Sequence, residues 1–159
     1  MKQITPCLWF NMQAEEAAKF YVSVFKNSKI GSINHYDENS AKAANMPKGA
    51  VLIVAFTLNG QEFMALNGGP AFKLSEAISF IIPCKDQQEI DYYWNHLSKG
   101  GEESVCGWLK DKFGLSWQVV PEQLDEWMKN PKKQAHVMKE VLKMTKLDFK
   151  KLEAAAKEA

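Results

Sequence analysis

The sequence predicts an α+β protein that consists of two βαβββ modules followed by C-terminal helices. Three observations lead to this fold class. The order strand, helix, strand, hairpin occurs once within residues 1–70 and again within residues 71–121. Each of the two hairpins has its own turn signal, Asn59-Gly60 in the first and Asp111 with Gly114 in the second. Apolar stripes at helical spacing then follow Pro121.

The elements of the first module follow from hydrophobic periodicity. Residues 4–10 predict a strand, residues 30–36 a second strand, and residues 37–49 a long, polar and Ala-rich loop with room for a helical turn. The hairpin at residues 50–66 is predicted because Asn59-Gly60 tolerates positive φ at both turn positions. The helix between the first two strands is predicted by one apolar stripe, formed by Ala14, Ala17, Ala18, Tyr21 and Phe25.

The second module repeats this plan. Residues 77–83 predict a strand, residues 102–105 a short strand, and residues 106–121 the closing hairpin. Asp86 and Glu89 predict a capping box, and Gly100-Gly101 predicts the end of the helix between them. The buried stripe of that helix is Ile90, Tyr93, Trp94 and Leu97.

The rest of the chain is predicted to be helical, with a break at Asn130-Pro131. We expect these helices to pack against the sheets or against a partner chain. Their apolar stripes are Leu124, Trp127 and Met128, then Val137, Val141 and Met144, then Phe149, Leu152 and Ala156. We therefore expect one domain of residues 1–159, with halves 1–70 and 71–121 and a helical extension 122–159.

Composition and charge argue against several classes of function. The net charge of +1 argues against nucleic acid or an anionic membrane as the main partner. No apolar run reaches the roughly 20 residues that span a bilayer, and the N-terminus lacks the apolar stretch of a signal peptide. The 3 cysteines are odd in number and widely spaced, which indicates reduced thiols and predicts a cytoplasmic protein.

Local motifs resemble the PhnB-like branch of the vicinal oxygen chelate superfamily, which includes glyoxalases, bleomycin-resistance proteins and extradiol dioxygenases. The motifs are Leu8-Trp9-Phe10-Asn11, Ala14-Glu15-Glu16-Ala17-Ala18, Phe20-Tyr21, residues 59–70, Ile78-Ser79-Phe80, residues 106–111 and residues 114–121. The resemblance covers nearly the whole chain and implies one curved eight-stranded mixed sheet around a cleft. This branch often carries the label demethylubiquinone 3-methyltransferase-like.

The resemblance also implies where a metal would be held in metal-dependent relatives, namely at Pro6, Ala65, Ser79 and Gln118. Pro6 and Ala65 have no side-chain ligand, and Ser79 and Gln118 are neutral and weak. We therefore expect no metal and no cofactor. The sequence also lacks a glycine-rich loop after a strand, with an acidic residue at the next strand end, of the kind that binds S-adenosylmethionine.

We predict a ligand pocket between the concave faces. Two of its polar groups, Gln118 and Ser79, either contact a ligand or hydrogen-bond each other or water. We expect an uncharged and partly apolar ligand, because the predicted lining contains no carboxylate. The predicted lining is Leu8, Phe10, Phe63, Ala65, Asn67, Ser79, Ile81, Trp108, Ser116 and Gln118.

Other reactive or aromatic residues have two interpretations each. Trp9, Trp108, Trp117, Phe63 and Tyr21 either stack on a substrate or pack in the core and interface, and packing is favoured. The cysteines are nucleophiles or, as we favour, buried structural residues: Cys7, Cys84 and Cys106. Among the histidines, we expect His96 and His136 to be remote from the pocket and only His35 to have a route to it.

Two functions follow from the resemblance, and the sequence leaves both open. The first is an enzyme or former enzyme that acts on a small organic molecule without a metal. The second is a non-catalytic protein that sequesters a small molecule, as resistance proteins of this superfamily do. A purely structural role is less favoured. We expect a homodimer, because a small domain buries apolar stripes such as Leu124, Trp127 and Val137 incompletely.

Overall fold

The computed structural model describes residues 4–158, which divide into two compact units with the boundary between Leu74 and Ser75. Each unit contains one four-stranded mixed sheet and its own helices, so the α+β class and the two βαβββ modules are confirmed. None of the helices in the described part of the chain has the length and apolar character needed to cross a membrane.

Unit 1 contains sheet 1, whose strand order is β1-β4-β3-β2. β1 runs parallel to β4, and the other two pairings are antiparallel. The predicted hairpin is confirmed, since Asn59 and Gly60 have φ values of 47° and 83°. The elements are β1 (Cys7–Phe10), α1 (Ala14–Val24), β2 (Lys29–His35), α2 (Glu38–Ala44), β3 (Val51–Leu58) and β4 (Gln61–Asn67).

The core of unit 1 lies between α1 and sheet 1. Tyr21 on α1 stacks on Phe56 with ring centroids 6.2 Å apart, and Phe56 stacks on Phe63 at 5.5 Å. The first helical N–H, at Ala14, donates to Oδ1 of Asn67 at 2.9 Å. Aromatic packing along the helix and this capping bond at its start fix the position of α1 on the sheet.

The predicted long loop between β2 and β3 contains a short helix, α2. Asp37 caps it, because its Oδ1 accepts from the Ser40 N–H at 2.7 Å while the Ser40 hydroxyl bonds back to Asp37. The preceding residue, Tyr36, is buried and donates its hydroxyl to the Asn67 carbonyl at 2.6 Å. The segment is therefore anchored to the end of β4.

Unit 2 contains sheet 2, whose strand order is β5-β8-β7-β6, the same topology as sheet 1. Asp86 caps the helix by accepting from the Glu89 N–H at 2.9 Å, and the Glu89 carboxylate accepts from Lys85, one residue earlier than a capping box requires. The elements are β5 (Ser79–Cys84), α3 (Gln87–Leu97), β6 (Glu102–Glu103), β7 (Trp108–Lys110) and β8 (Ser116–Pro121).

The eight strands form two four-stranded sheets, and the expectation of one eight-stranded sheet is wrong in this respect. In each module the first strand inserts beside the fourth strand of the same module, which completes the pairing locally. Prolines mark the strands at the sheet edges: Pro83 lies within β5, and Pro6 immediately precedes β1. Proline has no N–H for a further ladder, so these edges are poor templates for continuing a sheet.

Three helices complete unit 2: α4 (Leu124–Lys129), α5 (Pro131–Val141) and α6 (Phe149–Lys157). Asn130 ends α4 and caps α5 by accepting from the Lys132 N–H at 3.0 Å. Pro131 occupies the first turn of α5, where its missing N–H costs nothing. The three helices share one apolar cluster, which contains Val120, Trp127, Val137, Val141, Leu147, Leu152, Ala155 and Ala156.

Candidate ligand-binding site

One face of sheet 2 carries all the predicted pocket residues of the second half. In the strand register Ser79 lies beside Ser116, Ile81 beside Gln118, and Trp108 opposite Gln118. Paired residues in a sheet project to the same side. We call this side the site face; the alternating residues, such as Ile82, Trp117 and Val119, are buried on the other side.

Two of the three predicted polar residues of the site face, Gln118 and Ser79, bond each other. Gln118 Nε2 donates to Ser79 Oγ at 2.9 Å, which is one of the two predicted arrangements. Gln118 is half-buried, and its Oε1 accepts no hydrogen bond from the rest of residues 4–158. One acceptor of the amide is therefore oriented by the sheet and available to a ligand.

A cavity of about 350 Å³ lies along β6, β7 and the start of β8, and we call it the sheet 2 cavity. Trp108, half-buried, and Ser116, only 1% exposed, belong to its lining. The hydroxyl oxygen of Ser116 is buried and has no hydrogen-bond partner within the described part of the chain. A buried hydroxyl without a partner is unfavourable by about 1–3 kcal/mol, so this atom favours a bound polar group.

Charged residues form one side of the sheet 2 cavity. Lys110 makes an ion pair with Glu76, and Glu102 lies opposite Lys110 in the strand register. The hydrogen bond from Lys110 lowers the pKa of Glu76. The same bond raises the pKa of Lys110, and the carboxylates of Glu76 and Glu102 raise it further. Both partners therefore keep their charges at neutral pH.

The segment between α5 and α6 forms hydrogen bonds with Cys106 and Gly107, which lie at the rim of the sheet 2 cavity. Both residues have positive φ, 60° and 81°, and they form the tight turn between β6 and β7. The Cys106 N–H donates to the Met144 carbonyl at 2.7 Å, and the Gly107 N–H donates to the Thr145 carbonyl at 2.8 Å. The turn is therefore fixed by the segment that joins α5 to α6.

Of the predicted residues on the site face, Trp108 and Ser116 belong to the lining, whereas Ser79, Ile81 and Gln118 lie outside it. Eight lining residues of this cavity were not predicted: Glu76, Glu102, Glu103, Ser104, Val105, Cys106, Leu109 and Lys110. Lys110 could have been predicted from the sequence, since it lies two residues after Trp108 on the same face of the same strand. Glu76 could not have been predicted, because it belongs to an irregular segment whose contact with Lys110 depends on the fold.

The predicted pocket residues of the first half lie in the core of unit 1. Their side chains face α1, and none of them exposes more than 5% of its surface. A ligand on the opposite side of sheet 1 would contact their neighbours Trp9, Met64 and Leu66 instead. Alternation could not assign the faces, because β1 and β4 carry apolar residues on both sides. The five buried residues are Leu8, Phe10, Phe63, Ala65 and Asn67.

The four positions at which the resemblance implies a metal, Pro6, Ala65, Ser79 and Gln118, do not fit a divalent cation in this chain. Pro6 and Ala65 each lie one residue before Cys7 and Leu66, which match Ser79 and Gln118 in the strand register. Ala65 is a fully buried methyl group, and the Pro6 carbonyl accepts from the Met64 N–H at 2.9 Å. Ser79 and Gln118 bond each other through neutral groups. In the described residues, no three His, Cys, Asp or Glu side chains are grouped so that they could hold a metal ion.

The cysteines and histidines occupy different environments. Cys84 is buried, and this burial raises its pKa to about 12, so the group is a thiol at neutral pH. Cys7 is exposed on β1, so the expectation of a buried cysteine is wrong there, and partial desolvation raises the pKa of its thiol. Cys106 lines the sheet 2 cavity. His35 is exposed at the end of β2, and Nδ1 of His96 lies 2.7 Å from the Tyr92 carbonyl oxygen on α3.

Comparison with known proteins identifies the family. The family model described as 3-demethylubiquinone-9 3-methyltransferase matches residues 2–120. A PhnB protein from Bacillus cereus is 37% identical, with a TM-score of 0.66, over 75% of this chain and 99% of that chain. No curated protein matches the sequence.

Two more distant structures support the fold alone. Protein PA1353 from Pseudomonas aeruginosa is 20% identical with a TM-score of 0.61, over 76% of this chain and 98% of that chain. The fosfomycin resistance protein FosX from Listeria monocytogenes is 13% identical with a TM-score of 0.55, over 81% of this chain and 98% of that chain. The chain belongs to the family described as 3-demethylubiquinone-9 3-methyltransferase, the PhnB-like branch of the vicinal oxygen chelate fold.

Proposed function

We propose that this protein binds a small, partly apolar organic molecule in the sheet 2 cavity without a metal ion. The observation that carries the proposal is the Ser116 hydroxyl, which is buried in the lining of a cavity of about 350 Å³ and has no partner among the described residues. Trp108 supplies an aromatic wall, and Oε1 of Gln118, which lies outside the lining but opposite Trp108 on the same face, is an oriented acceptor next to the cavity. Apolar walls with a few fixed polar groups are typical of small-molecule sites.

The charges in the cavity favour binding over acid–base catalysis. The Lys110–Glu76 pair stabilises the ammonium and the carboxylate together, so neither group is poised to exchange a proton near neutral pH. We therefore favour the non-catalytic, sequestering protein. An enzyme or former enzyme is the second candidate, and the observation that favours it is the Cys106 thiol in the same cavity.

Methyl transfer with S-adenosylmethionine, which the family description suggests, is not part of this proposal. The four direct strand-to-helix connections in the described chain contain no glycine: residues 11–13, 36–37, 85–86 and 122–123. Gly68-Gly69 follows β4, but Pro70 comes next and residues 70–78 contain no helix. The glycine-rich turn that opens a helix toward a nucleotide-like cofactor is thus missing from these residues.

A ligand screen combined with metal analysis tests the proposal. We expect fragments that raise the melting temperature to do so equally with and without EDTA, and elemental analysis to find no stoichiometric metal. Stoichiometric metal, or hits that vanish with EDTA, would contradict a metal-independent site. Incubation of the hits followed by mass spectrometry separates the two candidates: unchanged hits support sequestration, and chemically altered hits support the enzyme.

We also propose a homodimer in the cytoplasm. The apolar stripes of α4 and α5 bury one another, so they do not supply the expected interface. Exposed apolar residues in unit 2 support one instead: Ile78 at 70%, Ile81 at 61% and Val105 at 61%. The 3 free cysteines support a reducing compartment. Light scattering at micromolar concentration should give a dimer mass, and a monomer mass would argue against the interface.

A further inference from the structure

The charged side of the sheet 2 cavity has more carboxylates than ammonium groups. Lys110 is paired with Glu76 and faces Glu102 across the β6–β7 ladder, so its charge is already balanced. Glu103 also belongs to the lining, and its Oε1 accepts from Trp94 Nε1 at 2.8 Å. Glu103 pairs with Leu109 and therefore projects to the opposite face of the sheet, so two carboxylates, Glu76 and Glu102, against one ammonium give this side of the cavity an excess of negative charge.

The other groups of the cavity indicate a planar body with a hydrogen-bonding edge. Trp108 offers its ring, and the buried hydroxyl oxygen of Ser116 lies one strand away in β8 without a partner in the described chain. A flat ring that carries an N–H stacks on Trp108 and donates a hydrogen bond from that N–H to the Ser116 hydroxyl oxygen. Stacking on tryptophan also favours a nearby positive charge on the ligand.

The equivalent place in sheet 1 shows that the fold does not require these polar residues. The row Ser79, Ser116 and Lys110 across β5, β8 and β7 corresponds to the row Cys7, Met64 and Ala55 across β1, β4 and β3. A cavity of about 270 Å³ lies there too, lined by Met64, Ala55 and Gly31 among others. Serine and lysine of sheet 2 are thus matched by methionine and alanine in sheet 1.

From these observations we infer that the sheet 2 cavity selects a small organic cation, an aromatic ring with an N–H edge joined by a short chain to an ammonium group. The inference rests on the proposed function and refines its ligand class. The ring lies against Trp108, its N–H donates to Ser116, and the ammonium is held by Glu102. The expectation of an uncharged ligand depended on a predicted lining without carboxylates, whereas the lining of the sheet 2 cavity includes Glu76 and Glu102.

Three probes that share one ring test the charge preference. Tryptamine carries an ammonium, tryptophol a neutral hydroxyl, and indole-3-acetate a carboxylate. Calorimetry at low ionic strength should show that tryptamine binds about five- to tenfold more tightly than tryptophol, with indole-3-acetate weakest. Glu102→Gln should abolish the advantage of tryptamine over tryptophol. Glu62→Gln, at the rim of the sheet 1 cavity, is the matched control and should preserve it.

The outcomes separate this inference from the proposed function. Equal affinities for the three probes, with amide shifts in sheet 2, would overturn the charge preference and leave small-molecule binding in place. Failure of all three probes while other fragments bind at sheet 2 would overturn the ligand class alone. Failure of every fragment in the screen would overturn both. An advantage of tryptamine that survives in Glu102→Gln would also contradict the inference.

Discussion

Gln118 is half-buried in β8 and uses one N–H to hold Ser79 across the sheet, while its Oε1 is left for a ligand. We expect Gln118→Leu to weaken the best hit of the screen by about 1–3 kcal/mol, because the ligand loses a hydrogen bond in a partly desolvated site. The melting temperature should change little, since half-buried Ser79 can bond water instead. Calorimetry and thermal unfolding measure the two effects.

Met64→Leu is the control for Gln118→Leu, because it changes an apolar side chain on sheet 1 at nearly constant volume. This variant should retain the affinity of the wild type. If Gln118→Leu binds the hit as tightly as Met64→Leu does, Gln118 only stabilises the sheet, and the proposed contact between its Oε1 and the ligand is wrong.

Asn67 joins three segments of unit 1 although it was predicted to line the pocket. Its side chain accepts from the Ala14 N–H and donates to the Val51 carbonyl at 3.0 Å, and it is 2% exposed. We expect Asn67→Leu to lower the free energy of unfolding by about 1–3 kcal/mol, because two buried backbone groups lose their partner. Urea unfolding followed by tryptophan fluorescence measures this change.

Asn34, exposed on β2, provides the comparison for Asn67. Asn34→Leu should change the unfolding free energy by less than about 0.5 kcal/mol, as surface substitutions usually do. Equal effects of the two variants would show that the bonds of Asn67 contribute nothing specific to unit 1.

The turn between β6 and β7 connects the C-terminal segment to the sheet 2 cavity. Substitutions of Gly107, which lies in this turn, and of Gly114, which lies outside it, test how much the turn contributes to stability and binding. Gly107 and Gly114 have φ values of 81° and 87°, so alanine is strained by about 1–2 kcal/mol at either position. A Cβ on Gly107 would also lie 2.8 Å from the Val119 carbonyl oxygen and 3.0 Å from Leu147, whereas a Cβ on Gly114 meets nothing within 4 Å. We expect Gly107→Ala to be more destabilising by about 1–3 kcal/mol.

Denaturant unfolding of the two glycine variants measures this difference, and calorimetry with the screen's best hit adds a second observable. Only Gly107→Ala should weaken the hit, because its turn forms the rim of the sheet 2 cavity. Equal stability and equal affinity of the two variants would show that the hydrogen bonds from the turn to Met144 and Thr145 do not contribute to ligand binding.

Most elements could be predicted because each has two agreeing signals. α1 and α3 have an apolar stripe and a defined end, and the β3–β4 hairpin has alternation and Asn59-Gly60. Residues 37–49 were predicted as a long loop with room for a helical turn, because they are mostly polar and lack a stripe. The capping residue Asp37 and the bond from Tyr36 to Asn67 organise α2 within this segment. The bond from Tyr36 to Asn67 is tertiary, so the local pattern did not contain it, whereas the Asp37–Ser40 capping box is local and was not recognised.

At the scale of the whole molecule, the repeated order of strands and helices made the fold predictable. The candidate site could be predicted only in part. In sheet 2 the polar residues Ser79, Ser116 and Gln118 alternate with apolar ones, and their common face was predicted from that alternation. In sheet 1 both faces are apolar, so the faces depend on where α1 packs. The Glu76–Lys110 pair could not be predicted, because it joins an irregular segment to a strand.

Amide chemical-shift mapping with the strongest hit tests the central claim most directly, because it reports the location of binding on the intact chain. We expect the largest shifts within residues 102–118, including the Trp108 indole N–H and the Ser116 amide, and we expect them to persist in EDTA. Shifts confined to unit 1, or shifts that disappear when EDTA is added, would contradict a metal-independent ligand site in the sheet 2 cavity.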